Sequence, residues 1–151
     1  MTDLSVIPAV LMKGQKNTMA SFMKFSDLMK KRQTLSFEVY PPKTEKGMNN
    51  LPGMIRRLGE LQPDYISCTY GAGGSNVGKN REVLREVEKV AVPVTHLTCI
   101  GQTKESVRRQ LQAYLDQGVT HILALRGDIP YGQSGTGGEF GHATDLVAFI
   151  R

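Results

Sequence analysis

The residues best suited to chemistry are two acids, Glu38 and Asp128, because each lies near the carboxyl end of a predicted strand. A carboxylic acid in a partly dry pocket keeps its proton near neutrality and can act as a general acid. A second acid in a more polar setting stays ionised, so two acids at one site can take different roles. The simpler interpretation of Glu38 is a carboxylate on the solvated face of an edge strand. The simpler interpretation of Asp128 is a carboxylate that forms a salt bridge with Arg126.

The stretch around Glu38 predicts a strand that carries this acid on its polar face. Apolar Phe37 and Val39 alternate with polar neighbours, which is the period-two pattern of a strand. The pair Pro41-Pro42 then ends the strand, because proline cannot donate a ladder hydrogen bond and restricts the residue before it. Glu38 is therefore expected opposite the apolar face, close to the carboxyl end of the strand.

A glycine-rich segment, Tyr70–Ser75, follows the second predicted strand. Three glycines in four residues let backbone amides approach a phosphate or a flat ring closely. The segment does not match G-x-G-x-x-G, because Asn76 stands in place of the third glycine, and it lacks the lysine spacing of a phosphate-binding loop. The segment is either a close-approach surface for a ligand or a flexible turn.

His96 and the segment Arg126-Gly127-Asp128 supply the remaining candidates. His96 lies inside a strand-like run, where a histidine is either a satisfied core residue or a ligand contact. No second His, Cys or acid stands at a metal-ligand spacing from it, so no metal site is expected. Gly127 would let a ligand approach between two charged side chains. An adhesion role for Arg-Gly-Asp is set aside because the segment adjoins a buried-type strand.

These candidates are distributed along a repeating strand–helix pattern. Strand-like segments begin near Leu35, Asp64, Pro93 and His121, at spacings of 29, 29 and 28 residues. Strand–helix alternation at this pitch is typical of βα units and a parallel sheet. The helical patterns that follow the four strands cover Asn49–Leu61, Asn80–Val90, Lys104–Gln117 and Ala143–Arg151.

An open doubly wound sheet and a closed (β/α)8 barrel both give this alternation, and three features favour the barrel. Polar residues recur at alternate strand positions, they cluster at the carboxyl ends of strands, and the glycine-rich segment follows strand two rather than strand one. We therefore predict an α/β fold, a (β/α)8 TIM barrel of which this chain supplies about the first four βα units. The predicted inner face carries Ser36, Glu38, Ser67, Thr69, His96, Thr98, Arg126 and Asp128, together with Val94, Ile122 and Ala124.

The predicted domain division is an N-terminal arm and leading helix, residues 1–33, followed by the barrel units, residues 34–151. The leading helix is expected to run from Asn17 or Thr18 to about Lys31. Four βα units would leave strands one and four with unpaired edges. The chain is therefore expected to be the N-terminal half of the catalytic barrel of a longer enzyme.

Composition places the chain among ordinary globular proteins, with 40% hydrophobic and 22% charged residues and a net charge of +5. Its basic residues accompany no RNA- or DNA-reading motif, so no nucleic-acid partner is expected. No apolar run approaches the about 18–20 residues that span a bilayer, so no membrane partner is expected. Cys68 and Cys99 are predicted to be free buried thiols in a reducing cytoplasm rather than a disulfide.

Taken together, the candidate motifs resemble those of the methylenetetrahydrofolate reductase family. Four blocks match in order and spacing, the segment Ala143–Val147 follows them, and the resemblance covers about residues 35–151. It implies a flavoprotein in which NAD(P)H, as NADH or NADPH, reduces a bound FAD. The reduced flavin would then convert methylenetetrahydrofolate to methyltetrahydrofolate, in one-carbon metabolism and methionine supply. The four blocks are Phe37–Thr44, Thr69–Ser75, His96–Cys99 and Leu123–Asp128.

The resemblance also implies roles for particular residues. Glu38 is expected to protonate the folate, so that its methylene bridge opens toward an iminium, and Asp128 is expected beside flavin and folate as the second catalytic residue. Thr69 is also expected near the nicotinamide. Two features depart from the family pattern: His142 stands where a Tyr is commoner, and the loop Tyr131–Glu139 is longer and richer in glycine. The residues expected to contact FAD are Thr69, Tyr70, Ala72, His96, Arg126, Gly127, Asp128, His142 and Ala143.

Two other functions fit the same pattern. One is a half-barrel that is catalytically incomplete and needs a second half. The other is an unrelated barrel that binds a phosphorylated ligand without redox chemistry, which flavin absorbance in the purified protein would exclude. A full-length enzyme of the family is expected to be a homo-oligomer.

Overall fold

The computed structural model describes residues 24–69 and 77–151, in which strands and helices alternate after a first helix. The leading helix begins at Phe25, because Lys24 before it has an extended backbone, so the predicted unbroken helix from Asn17 or Thr18 is wrong. Tyr70 and Ala72 lie outside the described residues. Among the described helices none is long and apolar enough to cross a membrane. The elements are α1 (Phe25–Lys31), β1 (Ser36–Val39), α2 (Glu45–Gly59), β2 (Tyr65–Cys68), α3 (Val77–Val87), β3 (Val92–Thr98), α4 (Lys104–Leu115), β4 (His121–Leu125) and α5 (Ala143–Ile150).

Two helices begin earlier than the sequence pattern predicts. α2 begins at Glu45 instead of Asn49, because the Thr44 hydroxyl oxygen accepts the backbone N–H of Gly47 at 3.1 Å and caps the helix. α3 begins at Val77, three residues before its predicted start. For α2, apolar periodicity locates the helix but not its first turn, where the cap decides the boundary.

The four strands form one parallel sheet in the order β1-β2-β3-β4. Crossovers between parallel strands are right-handed, so strands added in sequential order place all their helices on one face of the sheet. An open doubly wound sheet would instead reverse its strand order and carry helices on both faces. The fold is therefore α/β, with four successive βα units of the (β/α)8 barrel class, as the sequence predicts.

The hydrophobic core lies between the sheet and its helices, and it corrects one prediction about β4. Ile122 and Ala124 pack with residues of α4 and α5 on the helix side, rather than on the inner face with Val94. The reason is the register of β3 with β4, which pairs Val94 with His121 and Thr95 with Ile122. Fully buried members of the core include Ile55, Ile66, Val83, Leu97, Val107 and Leu146.

Helix α1 packs against the amino-terminal ends of the strands. The Phe25 ring stacks on Tyr65 of β2 and His121 of β4, at centroid distances of 4.5 and 4.4 Å. The Asp64 carboxylate accepts the Leu35 N–H at 2.9 Å and pairs with the Arg32 guanidinium. Burial alone would raise the pKa of Asp64, but these bonds outweigh burial and lower it. The division at residue 33 stays a prediction, although this helix is in contact with the sheet.

Two glycines of α2 give a matched pair of stability predictions. Gly53 lies inside the helix with open space where a Cβ would be, so Gly53→Ala is expected to raise the free energy of unfolding by about 0.5–1 kcal/mol. A Cβ on Gly59 would lie 2.7 Å from Cβ of Val90. Gly59→Ala is therefore expected to lower the free energy of unfolding by about 1–3 kcal/mol. Urea unfolding of both variants tests this, and equal effects would contradict it.

Candidate active site

Glu38 lies on β1 and points away from the helices, as the alternation predicts, because its neighbours Phe37 and Val39 pack in the core between sheet and helices. Its side chain is 46% exposed, and β1 is an edge strand of the described sheet. The described residues therefore do not provide the dry pocket that the sequence suggests for a general acid. The Glu38 carboxylate also raises the pKa of the neighbouring Tyr40 phenol, through a hydrogen bond and its negative charge.

His96 lies in the middle of β3, and its imidazole approaches the Glu38 carboxylate across β2. The two groups are 3.7 Å apart, from Nε2 of His96 to Oε2 of Glu38. Ser67 pairs with Glu38 in the register of β1 with β2, and this small residue leaves room for the two longer side chains to meet. The sequence predicts both residues on the inner face but not their pairing. The signal that could have found it is the serine at the same inner-facing position of the intervening strand.

The His96 imidazole is buried, yet its Nε2 has no hydrogen-bond partner among the described residues. Its side chain is only 7% exposed. Burial lowers the pKa of His96, and the Glu38 carboxylate opposes that effect. Because an unpaired buried nitrogen costs free energy, this atom is suited to a hydrogen bond with a polar atom of a ligand at the inner face.

Thr69 directly follows β2, at the carboxyl end of the parallel strands. Its N–H donates to the Val39 carbonyl at 3.1 Å, and its own carbonyl accepts from the Asn80 amide at 3.0 Å. Thr69 is half-buried, which leaves part of its surface open at the mouth of the sheet. Tyr70 and Ala72, predicted to line the same mouth, lie outside the described residues.

The segment Arg126-Gly127-Asp128 follows the end of β4 as irregular backbone. Gly127 has a φ of +80°, and a Cβ there would lie 2.7 Å from Cγ1 of Ile100, so only glycine fits. The Arg126 Nε donates to the Gly127 carbonyl at 3.2 Å. Within the described residues no ion pair joins Arg126 to Asp128, so the salt-bridge interpretation is wrong. Both charged side chains are exposed and remain available to a ligand.

The two acids singled out by the sequence are not neighbours in the described sheet. Glu38 is on β1 and Asp128 follows β4, which are the two outer strands of the sheet. Both nevertheless lie toward the carboxyl ends of the strands, the end at which a closed barrel brings successive strands around one mouth. In the described residues, Glu38 instead lies close to the His96 imidazole and to the phenol of Tyr40.

His142 and Ala143 lie at the start of α5, beside the end of β3. The Asp145 carboxylate caps this helix by accepting the N–H groups of Gly141 and His142 at 3.1 and 2.8 Å. The His142 ring is 79% exposed, with its Nδ1 at 3.6 Å from Asp145. The Cys99 thiol donates to the His142 carbonyl, which ties the end of β3 to this helix.

Both cysteines are free and buried, as the sequence predicts. Burial raises the pKa of the Cys68 thiol to about 12 and that of Cys99 to about 11, so both are protonated near neutrality. Over residues 24–69 and 77–151, no group of three or more His, Cys, Asp or Glu side chains could hold a metal ion.

The contact between Glu38 and His96 gives a titration prediction. The pKa of His96 is expected below its ordinary value of about 6.5, and Glu38→Gln is expected to lower it further by removing the nearby negative charge. Since the folded state then binds fewer protons, His96 favours folding fully above about pH 6.5, and that contribution falls as the pH drops toward the folded-state pKa. NMR of the histidine rings measures this. A rise in the pKa of His96 in Glu38→Gln would contradict the contact.

The sequential parallel sheet, with polar side chains at its carboxyl edge, places the protein in the β/α-barrel class. Residues 24–151 match the family model described as methylenetetrahydrofolate reductase, and the chain belongs to this family. The resemblance seen in the sequence is thereby confirmed.

Three relatives illustrate the family match. A methylenetetrahydrofolate reductase (NADH) 1 of Zea mays is 37% identical over 125 residues, which are 80% of this chain and 21% of the relative. A 5,10-methylenetetrahydrofolate reductase of Salmonella typhimurium is 36% identical over 121 residues, 78% of this chain and 39% of the relative. Methylenetetrahydrofolate reductase 2 of Schizosaccharomyces pombe is 36% identical over 140 residues, 85% of this chain and 22% of the relative. The chain thus spans between about a fifth and two fifths of the length of these relatives.

Proposed function

We propose that this chain takes part in the FAD-dependent reduction of 5,10-methylenetetrahydrofolate to 5-methyltetrahydrofolate, with NADH or NADPH as electron donor. The observation that carries the proposal is the Glu38 carboxylate 3.7 Å from the buried, unpartnered Nε2 of His96 on the inner face of a barrel sheet. Support also comes from the family match and from the names of the relatives, of which the first includes the word NADH.

The described residues fit a flavin. The Nε2 of His96 lacks a partner that a polar ring atom could supply, and the exposed Arg126 side chain suits an anionic group. When bound, FAD would accept a hydride from NAD(P)H and deliver it to the folate. We infer that its contacts in this chain are Thr69, Tyr70, Ala72, His96, Arg126, Gly127, Asp128, His142 and Ala143.

Glu38 is proposed as the general acid. Its carboxyl group would donate a proton to a folate nitrogen, so that a C–N bond of the methylene bridge breaks and an iminium carbon forms. His96, kept neutral by burial, would hold the Glu38 carboxyl in place through Nε2 or donate to a ligand atom beside it. Asp128, exposed after the end of β4, would place a carboxylate near the iminium cation and stabilise it.

A second candidate is an incomplete half of the barrel that acts only together with further strands. It is favoured by the 46% exposure of Glu38 and by the outer position of β1 and β4 in the described sheet. A complete barrel would pair those edges and cover the inner face, which would dry the surroundings of the acid.

Further parts of the proposal concern the setting of the enzyme. A cytoplasmic location is supported by the two free thiols, which persist in a reducing compartment. A homo-oligomer in the full-length enzyme, and the division into residues 1–33 and 34–151, are proposed from the sequence. We propose neither a nucleic-acid partner nor a membrane partner.

A flavin titration followed by two half-reactions tests the proposed function. The chain, and an enzyme that joins it to the rest of a barrel, are titrated with FAD and then mixed with NAD(P)H and with methylenetetrahydrofolate. The proposal expects flavin bleaching by NAD(P)H and reoxidation by the folate. The incomplete-half alternative expects both only in the joined enzyme. Absence of flavin binding in both proteins would overturn the proposal.

A further inference from the structure

We propose that Lys79 and Asn80, adjacent residues at the start of α3, are positioning residues that fix the carboxyl ends of β1 and β2 relative to each other. They contact no reacting group themselves. They act through the backbone that carries Glu38 and Thr69. The inference rests on the proposed function for its consequence in flavin binding, whereas the geometry it describes stands on the fold.

Lys79 binds the turn that follows β1. Its ammonium lies 3.4 Å from the Pro42 carbonyl oxygen and 3.2 Å from the Lys43 carbonyl oxygen. A lysine in the first turn of a helix is electrostatically unfavourable, because the helix dipole places positive charge there, and the first turn of α3 contains no acid. The hydrogen bonds from Lys79 to the two carbonyls offset this cost. The position of Lys79 is therefore explained by its bonds to the turn after β1.

Asn80 binds the end of β2 and is completely buried. Its Nδ2 donates to the Thr69 carbonyl at 3.0 Å and lies 3.5 Å from the Cys68 carbonyl oxygen. Its Oδ1 accepts from the hydroxyl groups of Thr95 and Tyr114 at 3.3 and 3.2 Å. Both ends of the amide are thus bonded, and the side chain links β2 to β3 and α4.

The two residues act at the point where the sheet ladder ends. Among the described residues, the last ladder bond between β1 and β2 runs from the Thr69 N–H to the Val39 carbonyl. Lys79 and Asn80 continue the connection through α3. Loosening them should therefore change the distance between Glu38 and the groups on β2 and β3 that it faces, including His96.

The test removes the hydrogen bonds of Lys79 and of Asn80 separately. It then follows the distance between Glu38 and His96 through the effect of the Glu38 charge on the His96 pKa. Lys79→Met keeps the apolar stem and loses the donors, and Asn80→Asp keeps the shape and loses the amide donor. Lys89→Met is the matched control, because this exposed lysine pairs with Glu86 on the outside of the protein. In each background the change in the pKa of His96 caused by Glu38→Gln is measured by NMR, so the direct effect of the lost charge cancels.

We expect Lys79→Met and Asn80→Asp each to reduce, by at least half, the change in the His96 pKa that Glu38→Gln causes. Each is also expected to weaken FAD binding at least tenfold. Lys89→Met is expected to alter neither the pKa change nor FAD binding. Lys79→Arg, which restores donors to the same carbonyls, is expected to recover most of the change. An undiminished change in folded Lys79→Met would overturn the inference. Lys79 is only partly buried, whereas Asn80 is completely buried, so Lys79→Met tests the inference even if Asn80→Asp does not fold. Absence of FAD binding in every protein would contradict the flavin proposal alone, because the NMR measurement does not need the flavin.

Discussion

Glu38→Gln, in an enzyme that carries these residues in a complete barrel, is expected to slow the folate half-reaction by about 10²–10⁴-fold. The amide has the shape of the acid but no proton to donate to the folate nitrogen. Reduction of the flavin by NAD(P)H needs no such proton and is expected to stay within about twofold of the original rate. Stopped-flow absorbance of the flavin measures the two half-reactions separately.

Glu105→Gln provides the control for this prediction. Glu105 is exposed on α4 and pairs with Arg109 on the outer side of the sheet, so neither half-reaction is expected to change. A loss below tenfold in the folate half-reaction of Glu38→Gln would remove Glu38 from the role of general acid. An equal loss in both half-reactions would instead indicate damage to flavin binding.

Gly138→Val is expected to lower the free energy of unfolding by about 2–4 kcal/mol, because it separates two loops at the mouth. A Cβ on Gly138 would lie 2.5 Å from the carbonyl oxygen and 2.7 Å from the nitrogen of Gln102, and backbone atoms cannot move aside as a flexible side chain can. The same loop contact includes bonds from Gly101 to Thr136 and from Glu139 to Gln102, both of 2.8 Å. Urea unfolding measures the loss.

Gly141→Ala is the control for the loop prediction, since it lies in the same connection and meets only the Asp145 carboxylate, at an ordinary 3.5 Å. Its effect is expected within about 0.5 kcal/mol. If Gly138→Val lowered the free energy of unfolding as little as Gly141→Ala, the close packing of the two loops would be contradicted. The contact also gives a packing role to the segment from Tyr131 to Glu139. Its second half packs on the β3–α4 connection, and the Glu139 carboxylate accepts the N–H of Lys104 at the start of α4.

The sequence by itself determined the order of elements, the parallel sheet and the family. These follow from local rules: a period of two places Glu38 opposite Phe37 and Val39, and a repeat of 28–29 residues indicates successive βα units. The family blocks are likewise contiguous sequence motifs, and they can be recognised without knowledge of the tertiary contacts. The sequence also placed Glu38, His96 and Thr69 toward one end of the sheet, because parallel strands share their carboxyl edge.

Tertiary structure alone decided which of these residues meet. Glu38 and His96 come together only because two strand registers and the small Ser67 between them set the distance, and Ile122 faces the helices because β4 pairs with β3 in a register that the apolar pattern of β4 leaves open. Lys79 reaches the turn after β1 because α3 packs beside it. Alternation fixes the face of a side chain within its own strand, whereas contacts across strands depend on register, twist and side-chain length. Those are properties of the packed sheet and not of any one segment.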